Sequence, residues 1–407
     1  MTLVDAVKAA RHGTLIYVLR GAYQGGIEFS KEMSGTYDEP IVLYAERKED
    51  ASIGVTVNCA AGKRQTCFNF EDADYIAVDG FELVGGNYGV RAVGLGFASS
   101  QHSRGIAVIN SKGRDQSRDP FTTAQSDWTV LESNKGYGAK AGDGHGIYIS
   151  GGSDWGIVRF NETYSNESSD LQINADPASN CKEAGIPYDD SRCDAYAGES
   201  EGGQGASDYF LIEGNYCHRS AVGPNFTSVR RSVIRNNIFG PQARHNVTFW
   251  QETDNPKLGS TENRILHNLF ITTKRHAIKF ENNSGRNIFA GNVILGLSID
   301  GKKATANPSA LLMETDPSSG NNVYQTNVYV SGKLEGRTPG QGETVLPDFS
   351  QAWFTAFPTA IGEAPSGFMP TAGAPFLNKI KLSPDAPADM NGTPRRDPSD
   401  LGPFEIP

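Results

Sequence analysis

Long hydrophobic runs are missing from this chain: no stretch approaches the roughly 18 consecutive apolar residues that a membrane helix requires. Blocks of Lys or Arg are missing too. With 37 basic against 47 acidic residues the net charge is −10, which argues against nucleic acid or a membrane surface as partner. Cysteine is scarce, five in 407 residues, and neither a C-x2-C spacing nor a nearby histidine pair supports a zinc site. No 3.6-residue apolar period persists through the central region, so long amphipathic helices are not expected there. Glycine, by contrast, is abundant, 46 of 407 residues against about 7% in an average protein, and it marks frequent turns. A hydrophobic content of 38% is enough for a continuous core and excludes wholesale disorder. These features describe a turn-rich, all-β protein.

The cysteines carry information about compartment. Cys59 and Cys67 flank one short polar loop and Cys181 and Cys193 another, leaving Cys217 as an odd, buried thiol. A local disulfide of this kind stabilises by roughly 3 kcal/mol when unstrained. Two such staples imply an oxidising location, so the protein is expected to be secreted or periplasmic. The chain opens on Met1-Thr2 without a basic and apolar leader, so a signal peptide is expected to have been removed.

A short segment recurs: an apolar residue, two variable residues, Asn, then usually another apolar residue. Its asparagines are Asn161, Asn215, Asn237, Asn268, Asn292 and Asn327, with an earlier copy at Asn110. Successive spacings from Asn161 are 54, 22, 31, 24 and 35; a spacing near 22–31 is one unit of a solenoid, and the gap of 54 reads as a coil plus an insertion. Short β-branched runs between the asparagines alternate with a period of two, as strands do. An Asn repeating at one corner can bond the backbone of the coils above and below, so this series is read as structural. His267, inside it, is read as a packing histidine.

Several segments then resemble right-handed parallel β-helix proteins of the pectate-lyase-like superfamily. LVDAV at 3–7 and TLIYVLRGAY at 14–23 are similar to an opening cap helix and first strand. PIVLYA at 40–45, DYIAVDGFEL at 74–83 and HGIYIS at 145–150 resemble coils, while DMNGTPRR at 389–396 with LGPFE at 401–405 resembles a closing segment. The resemblance implies a single-stranded solenoid over 1–335, carrying a long loop insertion at 177–208. Residues 336–407, rich in Pro and Gly, are expected to pack on the solenoid or cap it. A fold of this kind hosts lyases, hydrolases, epimerases and non-enzymes, so the reaction must be argued from side chains.

Alternation assigns those side chains to faces. Leu171, Ile173 and Ala175 point in, so Asp170, Gln172, Asn174 and Asp176 are expected to point out. Val247 and Phe249 point in, with Asn246, Thr248, Trp250 and Glu252 out. Lys279 and Glu281 are outward, as are Tyr148, Ser150, Asn225 and Thr227. Stacking the coils predicts one column of Gln172, Thr227, Thr248 and Lys279, and another of Asn174, Trp250 and Glu281. The pair Arg244-His245 recurs as Arg275-His276, and His145 falls near the same column. Such a surface suits a polysaccharide: Trp250 and Tyr148 stack on sugar rings while Gln172, Asn225, Glu281 and His145 address hydroxyls.

The favoured chemistry is β-elimination on a uronic-acid polysaccharide. A base, Lys279 or His245, takes the C5 proton while Arg244, Arg275 or Arg230 neutralises the uronate carboxylate; His276 and Tyr148 join the catalytic group. Asp170, Asn174, Asp176 and Glu252 are oxygen donors suited to Ca²⁺. Competing readings are an inverting hydrolase using Asp176 and Glu252, which would stand about 10 Å apart, an epimerase, and a non-catalytic carbohydrate-binding solenoid. The protein is expected to act as a monomer.

Overall fold

The structure is a computed structural model describing residues 2–62, 64–96, 99–175, 205–251, 258–272, 274–297, 310–314, 316–359 and 363–406. The 176–204 stretch therefore lies outside the described residues, and with it most of the expected loop, Asp176, Cys181 and Cys193. So does Glu252. The chain divides into two compact units, Met1–Tyr209 and Phe210–Pro407.

The first unit begins with a helix, Leu3–Ala9. It starts there because Thr2 and Asp5 form a reciprocal capping box, and it buries Leu3 and Val7. Three parallel sheets follow, each coil giving one strand to each. Leu15–Val18, Ile41–Ala45, Ile76–Asp79, Ala107–Ile109, Val130–Glu132 and Ile157–Arg159 build the first sheet. The second runs from Gly21–Gln24 to Glu162–Tyr164, and the third from Ile27–Phe29 through Asp119–Ala124 and Ile147–Ser150 to Leu171–Asn174. Inward residues stack on their equivalents one coil away, as Phe29 does on Phe70 with ring centroids 4.9 Å apart. Cys59 and Cys67 form a disulfide, and in the second unit Cys217 is buried, both as expected.

The second unit repeats the plan. Its first sheet runs from Leu211–Glu213 to Val323–Gln325 and its second from Tyr216–His218 to Thr344–Leu346. Its third contains Asn225–Thr227, Val247–Trp250, His276–Phe280, Ala310–Met313 and Lys333–Glu335. Here the second sheet is apolar on both faces. Phe239, Phe270, Ile294 and Tyr329 point into the solenoid, while Ile238, Leu269, Val293 and Val328 are covered by Phe354, Phe368, Phe376, Leu401 and Phe404 of the C-terminal segment. No helix among the described residues is long and apolar enough to cross a membrane.

The asparagine series is a ladder. In the second unit the backbone N–H groups of Asn215, Asn237, Asn268 and Asn292 donate to the side-chain oxygens of Asn237, Asn268, Asn292 and Asn327 at 2.8–3.0 Å. Each side-chain amide also caps a strand carbonyl, as Asn268 does for Ile234 at 2.9 Å. In the first unit Asn134 and Asn161 continue the pattern, but Asn110 is one residue out of step: it is exposed, and Ser111 donates to Asn134 at 2.9 Å in its stead. A second ladder, Asn263, Asn287 and Asn322, runs along the corner between third and first sheets. Asn268→Ala would orphan the buried Asn237 N–H, which costs about 1–3 kcal/mol, and remove the side-chain bond to the Ile234 carbonyl, worth about 1 kcal/mol more. Chemical denaturation is expected to show a loss of about 2–4 kcal/mol; a loss below about 1 would mean that water replaces the ladder.

Candidate functional site

The polar residues gather on the third sheet, and in the second unit they form a compact group. Register is set by the inward phenylalanines: Phe226 lies beside Phe249 and Phe249 beside Phe280, with centroids 5.0 Å apart at each step. Asn225 therefore neighbours Thr248, which neighbours Lys279, while Thr227 stands beside Trp250. The column expected to contain Thr227, Thr248 and Lys279 is thus shifted by two residues and contains Asn225 instead. The Trp250 indole donates to Asn225 Oδ1 at 2.7 Å, fixing the ring on the sheet surface. Lys279 is ion-paired with Glu281, both side chains about a quarter exposed.

At the leading end of these strands stand His245 and His276, ring centroids 4.9 Å apart. His276 is buried, and its Nε2 shares a 3.1 Å hydrogen bond with the Thr248 hydroxyl. His245 is half-buried; its Nδ1 is enclosed without a hydrogen-bond partner and its Nε2 is not enclosed. Burial, then the charges of Arg275, Arg244 and Lys279, push the His245 pKa down to about 4. Burial, then His245, Lys279 and Arg275, push that of His276 to about 3. Both imidazoles are therefore neutral at physiological pH. Arg244 and Arg275 are exposed and adjacent, the Arg275 N–H donating to the Arg244 carbonyl at 3.2 Å.

The first unit carries a related group. Tyr148 pairs in register with Thr122 on one side and Gln172 on the other. The His145 ring lies 5.0 Å from that of Tyr148, and its Nδ1 accepts the Ser169 N–H at 3.3 Å. Burial lowers its pKa to about 4. Asp119, which sequence reasoning missed, accepts the His145 N–H at 2.8 Å and the Thr122 hydroxyl at 2.9 Å. Complete burial raises its pKa to about 6 despite those bonds. No local pattern distinguishes Asp119 from the other acids; only enclosure does.

Other expected site residues are not on the open face. Asp170 is completely buried just before its strand, within 3.4 Å of the Asn166 amide, and Asn174 is 6% exposed. Alternation put both outward, but neighbouring coils cover them. Asn246 also turns inward, donating to the carbonyls of Phe239 at 2.6 Å and Ile271 at 3.0 Å. Arg230 lies in the short strand Val229–Arg230, beyond the left-handed Ser228, so a corner separates it from the third sheet. Among the described residues no three His, Cys, Asp or Glu side chains converge as a metal site, and two of the four proposed calcium donors are enclosed. The other two, Asp176 and Glu252, lie outside the described residues. His267 is a buried packing residue whose Nδ1 meets the Asp400 carbonyl at 3.0 Å, as its sequence context suggested.

No protein-family model matches the chain, and no curated protein matches it. Solved structures do. Pectate lyase Pel9A aligns with 100% of this chain and 91% of its own, at 13% identity and a TM-score of 0.59. XylC in complex with xylose aligns over 100% and 95%, at 10% identity and 0.57. The A-module of the Azotobacter vinelandii mannuronan C-5 epimerase AlgE6 aligns over 85% and 92%, at 13% identity and 0.54. At such identities the likeness is one of fold: this chain has the right-handed parallel β-helix that these carbohydrate-active proteins share.

Proposed function

We propose that the protein is an extracytoplasmic polysaccharide lyase that cleaves a uronic-acid-containing chain by β-elimination on the third-sheet face of its second unit. The observation that carries this reading is His245, a neutral imidazole without a hydrogen bond, set beside Arg244, Arg275 and Lys279. β-Elimination needs that combination. Cations bind the uronate carboxylate and make the C5 proton acidic, while a neutral base removes it. Lys279, paired with Glu281, serves as a cation, which leaves the proton to His245. The C5–H electron pair becomes the C4–C5 double bond, the C4–O4 bond breaks with its electrons on oxygen, and the departing oxygen takes a proton from water. Substrate binding assists: a carboxylate on the three cations screens the charges that depress His245, raising its proton affinity as the reaction begins. Trp250 offers a ring for stacking, with Asn225 holding it in place. The Cys59–Cys67 disulfide supports an oxidising compartment.

No step here is routed through a metal. Activity surviving a chelator would leave carboxylate neutralisation to the arginines, and activity lost would assign it to Ca²⁺. The reading itself is tested by incubating the protein with acidic and neutral polysaccharides while following ultraviolet absorbance and reducing ends together. Both rising together reports an unsaturated product. Reducing ends alone would overturn elimination in favour of hydrolysis, and a changed uronate configuration without cleavage would replace it with epimerisation.

The pH dependence is specific. The base must be neutral, so kcat/KM is expected to hold from neutrality down past 6.5 and to fall only as pH approaches about 4. An acidic limb at 6.5 would mean an unshifted histidine and exclude His245 in its observed surroundings.

A further inference from the structure

In the first unit one corner, between the third and first sheets, carries an unusual run of rings. Its left-handed position is occupied on successive coils by Tyr75, Gly105, Trp128, Trp155 and Tyr209. Backbone hydrogen bonds hold these in register: Tyr75 N–H to Arg104, Gly105 N–H to Asp127, Trp128 N–H to Asp154 and Trp155 N–H to Asp208, at 2.7–3.0 Å. Trp128 is 43% and Trp155 37% exposed. Their ring centroids lie 6.2 Å apart, and Trp155 to Tyr209 is 6.0 Å with the planes within 7°. Near-parallel rings at that separation are offset, and the exposure of Trp128 and Trp155 leaves part of both indoles open. The Arg104 guanidinium stands 5.7 Å from the Trp128 ring centre.

Neither the turn nor the packing calls for aromatics here. The left-handed region suits Gly and Asn and is an outlier for bulky side chains. The second unit fills the same corner with Arg231, Glu262 and Arg286, which form an ion-pair ladder at 3.0–3.4 Å. Two of the four tryptophans of the chain thus sit half-exposed on adjacent coils, in a backbone conformation that other residues adopt more easily.

We propose that Trp128, Trp155 and Tyr209, with Arg104, form a binding strip for an acidic polysaccharide chain, separate from the third-sheet face. Pyranose rings recur along such a chain as these side chains recur along the solenoid; their apolar faces pack on the indoles, and Arg104 meets a carboxylate. The proposal rests on the polysaccharide reading above and specifies how that polymer is retained.

Affinity electrophoresis of the whole protein through gels containing polygalacturonate or alginate, with a neutral glucan as control, tests it. The comparison is Trp128→Asn/Trp155→Asn, because Asn tolerates the left-handed turn. The intact protein is expected to be retarded by an acidic polymer, and the double variant to bind about ten-fold more weakly. Its turnover of a short oligosaccharide should be unchanged, and His245→Gln should be retarded normally. Retardation unaffected by the double substitution overturns the strip and leaves the lyase reading standing. Equal retardation by the neutral glucan overturns the acidic specificity. No retardation of the intact protein by any acidic polymer overturns the strip together with the choice of substrate class.

Discussion

His245→Gln is expected to lower turnover of an acidic polysaccharide by roughly 10²–10⁴-fold, the usual contribution of a positioned base, with an unchanged circular dichroism spectrum. The separation of activity from fold follows from local geometry. His245 makes no side-chain hydrogen bond among the described residues, so glutamine forfeits none. His276→Gln is a different experiment, because that ring is buried and bonded to Thr248 at 3.1 Å, and the variant should lose stability as well as rate. Lys279→Ala should raise KM, since it removes a cation that holds the carboxylate before as well as during reaction. It also leaves Glu281 unpaired beside the substrate, which adds repulsion of an anionic chain. Full activity in His245→Gln would sink the base assignment, and full activity in Lys279→Ala as well would remove the catalytic site from this face.

Arg395→Ala is expected to destabilise the second unit by about 3–5 kcal/mol, the cost of breaking a buried ion pair from one side. Arg395 and Glu405 are enclosed, with side-chain exposures of 0% and 1% and a separation of 3.4 Å. The guanidinium also donates to the carbonyls of Asp400 at 3.1 Å and Gly402 at 2.8 Å, and to Asn236 Oδ1 at 2.8 Å. Burial lowers its pKa only to about 10, so it is charged under all ordinary conditions. Removing it frees the last turns of the chain from the Asn236 corner. Leu401 and Phe404 then lose their hold on the outward face of the second sheet, where Val293 and Leu269 lie. With two units in the chain a single two-state transition is not assured. Hydrogen exchange therefore gives the cleaner reading, with faster exchange of the Leu269–Thr272 and Val293–Gly296 amides and none of the change in the first unit. Arg395→Met/Glu405→Leu should recover only part of the loss, because it removes the unpaired Glu405 carboxylate but leaves the Asp400 and Arg396 N–H groups that Glu405 accepts without a partner. Unaltered exchange in Arg395→Ala would show that apolar contact alone holds the segment.

What the sequence by itself determined about this protein is what depends on neighbouring residues along the chain. Strand alternation put Phe249, Ile278 and Ile173 inside, and the Asn series marked one corner, because alternation is settled within a strand and each Asn is recognised by the apolar residues beside it in the chain. The opening helix was legible through the resemblance of LVDAV at 3–7 to a cap helix, and the structure adds the Thr2–Asp5 capping box that starts it. The residue types around His245 were legible too, since Arg-His recurs at the spacing of a coil. Tertiary structure alone decided whatever depends on an adjacent coil. Thr227 moved away from Thr248 because corner length, which alternation does not encode, sets register between coils. Asp170, Asn174 and Asn246 faced polar or solvent-facing positions by pattern, yet the adjacent coils and corners enclose them. Asp119 became a carboxyl with a raised pKa through burial, which one strand cannot impose on itself. The Asn263, Asn287 and Asn322 ladder escaped notice because Ser260, Ser284 and Ser319 stand three residues before them, where the other series has an apolar residue. The assignment of the C-terminal segment to the second sheet came from complementary apolar surfaces far apart in sequence. Local chemistry writes the coil; contact between coils decides which side chains are left to meet a ligand.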